Sequence, residues 1–96
     1  MRYAARVDRN QQEVIDALRA AGAVVHSLAA VGNGIPDLLV AFRGQTILME
    51  VKDGAKVKSA QKLKPLQIIF HRDWTGGPLS IVDGPDAALR ALGVIA

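Results

Sequence analysis

Apolar positions along the chain change their period several times, and each change marks an element. Between Arg9 and Ala21 the residues Val14, Ile15, Leu18 and Ala21 recur at helical spacing, with Asp16 on the far side and Glu13 near the margin. Asp8 suits the N-cap of this helix, with Gln11 three residues later, and Gly22 suits a left-handed stop. Ala23 to Ser27 reads as a short strand, followed by an irregular link through Gly32 and Gly34 to Pro36. Two longer apolar runs, Asp37 to Phe42 and Gln45 to Lys52, flank Arg43-Gly44, a hairpin signal weakened by the poor fit of Arg43 to positive φ. Neither run alternates, so the sheet is expected to be covered on both faces. Pro65 fits the first position of a second helix reaching about Trp74, with "TGGP" as its stop. "LSIV" predicts a last strand, and a final helix runs from Pro85, capped by Asp83 or Gly84, to Gly93. The result is an α/β chain of order αβββαβα.

Composition adds partners to this outline. The 96 residues form one domain spanning 1–96, and 50% hydrophobic content is more than so small a monomer easily buries. Leu66, Ile68, Ile69, Phe70 and Trp74 spread around more than one face of the second helix, and the tail "LGVIA" adds apolar area, so a homodimer is expected. With no cysteine, disulfides and thiolate metal sites are excluded, which fits a cytoplasmic setting. No apolar run approaches the ~20 residues of a membrane span, and "MRYAARVDRNQQE" is too polar for a signal peptide. Net charge is +3, with five lysines between Lys52 and Lys64 and Asp53 as the one acid among them. Lys56, Lys58, Lys62 and Lys64 read either as a solvated loop or as phosphate contacts that displace counterions from nucleic acid.

The hairpin brings chemistry to one point. With Arg43 and Gly44 as the loop, Phe42 faces Gln45 and Asp37 falls opposite Glu50, with Cβ atoms ~4.5–5.5 Å apart on one face. Lys52 shares that face, because strand side chains alternate. Two carboxylates so close repel each other unless a cation lies between them. Oxygen donors of this kind suit Mg²⁺ or Mn²⁺. An ammonium beside them can orient water or stabilise charge on a phosphate.

The "PD" of Pro36-Asp37 and "EVK" of Glu50-Val51-Lys52 resemble the PD-(D/E)xK nuclease superfamily. The wider text, "GIPDLLV", "MEVKDG", "KPLQIIFHRDW" and "GGPLSIVDGPDAALRALG", is similar to the VRR-NUC family over nearly the whole chain, most of all to its small stand-alone members of bacteria and phages. That resemblance implies a restriction-endonuclease-like core with a mixed sheet flanked by helices. It implies metal ligands Glu13, Asp37, Glu50 and the Val51 carbonyl, catalytic Lys52, and Gln67 beside that lysine. It further implies a Mg²⁺- or Mn²⁺-dependent endodeoxyribonuclease, homodimeric and resembling Holliday junction resolvases, acting on branched DNA such as a four-way junction or flap in a bacterial or phage-infected cytoplasm. A non-catalytic nucleic-acid-binding module, or a nuclease of linear or nicked duplex, remains the alternative; intact Asp37, Glu50 and Lys52 argue against the former. One departure is Lys64, where the family usually places a serine or threonine cap, a loss expected to weaken the first helical turn by ~1 kcal/mol. His26 and His71 read as structural or nucleic-acid-facing.

Overall fold

The computed structural model describes residues 9–54 and 62–96. Helix α1 (Arg9–Ala20) buries Val14, Ile15 and Leu18 together with Gln11. It stops where the periodicity predicts, because Gly22 takes φ +100° and the Ala23 N–H returns 3.0 Å to the Leu18 carbonyl, satisfying an end-of-helix acceptor. Asp8, its expected cap, lies outside the described residues.

Four strands, β1 (Val24–Ser27), β2 (Leu38–Phe42), β3 (Gln45–Val51) and β4 (Leu79–Val82), form one sheet in chain order. The first three run antiparallel, and β4 lies parallel to β3 after a crossover containing helix α2 (Pro65–Asp73). Helix α3 (Pro85–Leu92) starts with proline at its N-terminus and ends at Gly93, φ +81°. Arg43 does enter the left-handed region at φ +48°, with Gly44 at φ +80°. Its guanidinium lies 4.8 Å over the Phe42 ring, an attraction that offsets part of the backbone cost. The turn sets the expected register, Phe42 opposite Gln45 and Leu38 opposite Met49.

That register sorts the sheet into two unlike faces. Val25, Leu38, Val40, Ile47, Met49 and Val82 join Val14, Ile15 and Leu18 of α1 and Ala88 and Leu92 of α3 in one core. The opposite face carries Glu50 and is approached by α2. Helices flank the sheet on both sides as expected, but the α2 face is covered only in part: Glu50 and Leu48 are buried there, Val24 and Ile81 are 58% and 53% exposed, and none of α2's own residues is buried. A single nine-residue helix is too short to roof four strands. Apolar side chains on both faces of a strand therefore did not imply two complete layers. No helix among the described residues is long and apolar enough to cross a membrane.

Candidate active site

Asp37 stands one residue before β2, and its Oδ2 accepts the Val51 N–H at 2.8 Å, so the carboxylate is drawn across to the end of β3. Val51 thus meets the site through its amide. Glu50, on the face opposite Met49, is 1% exposed. Its Oε2 accepts a hydrogen bond from Gln67 Nε2 at 3.0 Å and lies 3.5 Å from Lys52 Nζ. Its Oε1 is buried with no partner. Burial above all, then the adjacent Asp37 carboxylate, pushes the Glu50 pKa up to about 7, and Lys52 counters only part of that rise. Asp37 and Glu50 therefore meet as the hairpin register requires.

Gln67 joins the acids to the lysine. Its Oε1 accepts from Lys52 Nζ at 3.1 Å and from the Lys64 backbone N–H at 2.8 Å. Two donors on one atom fix the amide orientation, leaving Nε2 for Glu50. The missing serine or threonine cap is thus compensated in part: Gln67 at the third helical position ties down the N-cap amide itself. Lys52 is further held by its own N–H to the Val82 carbonyl, 2.8 Å, and by Asn10 Nδ2 on its carbonyl, 3.0 Å. Sequence reasoning missed Asn10, whose partner lies 42 residues away with no periodic signal between them.

The remaining predicted residues fall elsewhere. The Glu13 side chain is about half exposed and pairs with Arg9 at 3.9 Å, in a separate polar hollow of about 480 Å³ shared with Asp53 and Asp83. Among the described residues no group of three histidines, cysteines or acids is arranged to hold a metal. Lys56 and Lys58 lie outside the described residues, while Lys62 and Lys64 are exposed. Lys64 also borders a hollow of about 460 Å³ between the 28–35 segment and the start of α2, with Asp37 and Gln67 in its wall. His26 is exposed on β1. His71, one turn beyond Gln67, has a buried Nε2 without a partner; burial and then the Lys52 charge lower its pKa and favour the neutral ring.

The arrangement suits chelation of a hard cation by two carboxylates, with a fixed ammonium alongside. The orphaned Glu50 Oε1 is the atom most in need of such a partner. No family model and no curated protein matches the chain. A solved structure described as a VRR_NUC domain is similar to it at 27% identity, with a TM-score of 0.69 over 92% of this chain and 95% of that one.

Proposed function

We propose, from the premise that this chain has the VRR-NUC family fold, that it is a metal-dependent endonuclease hydrolysing DNA phosphodiester bonds. The likeness supports a nuclease-type function, and the observation that carries it to named residues is the Asp37–Glu50 pair with Glu50 Oε1 unpartnered. Asp37 and Glu50 would hold Mg²⁺ or Mn²⁺, with the Val51 carbonyl as a further oxygen donor. When bound, the ion lowers the pKa of its water and neutralises charge on the phosphate. Glu13 would join these ligands only after leaving Arg9.

The chain's own residues supply position and charge. Lys52 has one ammonium donor fixed by Gln67 and its charge beside Glu50, which leaves a donor for a phosphate oxygen as negative charge develops. Gln67 holds Glu50 and Lys52 at hydrogen-bond distance before substrate arrives, so little reorganisation is left for the reaction.

The finer reading is a homodimer acting on branched DNA. It is supported by exposed Leu66, Ile68 and Ile69 on α2 and by Val24 and Ile81 on the open sheet face, apolar area that a second copy would cover. A two-fold pair sets two sites on one assembly, as symmetric cuts need. Lys56, Lys58, Lys62 and Lys64 would follow the DNA backbone. The test is a cleavage panel of four-way junction, flap, nicked and linear duplex with Mg²⁺ and with Mn²⁺. Preferential cutting of the branched substrates is expected, and equal cutting of all four removes the structure-specific reading. Sedimentation equilibrium near 10.2 kDa, unchanged by junction DNA, would remove the dimer.

A further inference from the structure

The turn leading into Asp37 and the first turn of α2 approach each other more closely than a side chain permits. Gly34 has φ +77°. A Cβ placed on it would overlap the Leu66 carbonyl and lie 2.8 Å from the Gln67 amide nitrogen. Gly32, in the same turn at φ +72°, presents open space to an added Cβ, with nothing within 4 Å. Two glycines share a backbone conformation, then, and differ in what they face.

The contact matters because α2 has little else to hold it. None of its own residues is buried, and three of its apolar side chains are exposed. Gln67 lies at the third position of this helix, and its amide bonds to Glu50 and Lys52 are 3.0 and 3.1 Å long. Any retreat of the first turn carries that amide away from both.

We propose that Gly34 is a positioning residue for the candidate active site: its bare Cα lets α2 close down on the turn before Asp37, setting Gln67 against Glu50 and Lys52. For its effect on turnover this inference rests on the nuclease reading above; the geometry stands without it. Carbon contacts settle at roughly 3.5–4.0 Å, so a side chain at 34 must push the first turn back by on the order of 1 Å. Misplacement on that scale can cost on the order of a hundredfold in rate.

The test compares Gly34→Asn with Gly32→Asn. Asparagine tolerates positive φ, and Asn33 already adopts φ +58° in this turn, so both variants are built to fold. Gly34→Ala and Gly32→Ala form a second pair. In ¹⁵N NMR spectra the Gln67 side-chain amide should shift in the Gly34 variants and stay in place in the Gly32 variants. Turnover should fall on the order of tenfold or more for Gly34→Asn with DNA affinity within about twofold, and Gly34→Asn should cost little further in a Gln67→Ala background. An unmoved Gln67 amide in Gly34→Asn overturns the proposal, as does turnover equal to that of Gly32→Asn. A wild-type protein that cuts no DNA would sink the nuclease reading and leave the NMR comparison to judge Gly34 alone.

Discussion

Replacing Glu50 by glutamine should stabilise the metal-free protein at alkaline pH, an outcome opposite to that of most substitutions at a 1% exposed polar position. The Glu50 pKa stands at about 7 in the folded chain against 4.5 for an ordinary glutamate. A carboxyl raised by folding contributes stability fully below the unfolded value and loses it as pH rises through the folded one. The window is therefore pH 4.5 to about 7. At 1.36 kcal/mol per unit, the penalty above that window is about 3 kcal/mol, a net value in which Lys52 already offsets part of the desolvation and of the Asp37 repulsion. Glutamine has the same shape without the charge and can donate to Asp37. In chemical denaturation with EDTA, Glu50→Gln should exceed wild type by up to about 3 kcal/mol at pH 8, roughly 10–20 °C in Tm for a chain of this size, and show little advantage at pH 4.5. His71, whose lowered pKa acts in the opposite direction, is present in both proteins and cancels in the difference. Adding Mn²⁺ at pH 8 should stabilise wild type and leave Glu50→Gln unmoved. A Glu50→Gln variant less stable than wild type at pH 8 would show that the buried Glu50 carboxylate carries no such penalty.

Calorimetry should find Mn²⁺ binding lost in Glu50→Ala and only weakened, by less than tenfold, in Glu13→Ala, since Glu13 rests on Arg9; equal losses would place Glu13 on a par with Glu50. Replacing Lys62 or Lys64 singly by alanine should reduce the salt slope of DNA binding by roughly one unit and weaken binding uniformly across sequences; unchanged slopes would return both to a solvated surface. The His71 pKa, read from its ring protons, should rise in Lys52→Met while remaining below the usual histidine value, because burial outweighs the lysine charge. A value that does not move would separate the two side chains.

Local chemistry made much of the fold legible. The Arg43-Gly44 turn fixed the hairpin register, and the register alone carried Asp37 to Glu50. Pro65, Pro85, Gly22 and Gly93 marked helix ends where backbone conformation demands them. What stayed hidden depends on contacts between distant segments. Nothing near Asn10 signals that its amide meets the Lys52 carbonyl, and nothing near Gly34 signals Leu66. Glu13 stood out over Asp16 only through family resemblance, and the structure leaves it with Arg9. The apolar runs of β2 and β3 suggested two covering layers because periodicity reports which side chains avoid water, not whether the same chain covers them. Gln67 stands three residues after Lys64, the spacing of a capping box, but without serine or threonine at position 64 that spacing did not announce its second task as a cap.

Metal-dependent hydrolysis assisted by Lys52 is tested most directly by cleavage of a labelled four-way junction by wild type and by Lys52→Ala, each with Mn²⁺ and with EDTA. Cutting by wild type should require the metal, and Lys52→Ala should lose at least a hundredfold in rate with junction affinity retained, since the ammonium held by Gln67 would act on the reacting phosphate and the other lysines would provide most of the binding. Cutting that persists in EDTA, or a Lys52→Ala protein that turns over near the wild-type rate, would contradict that mechanism.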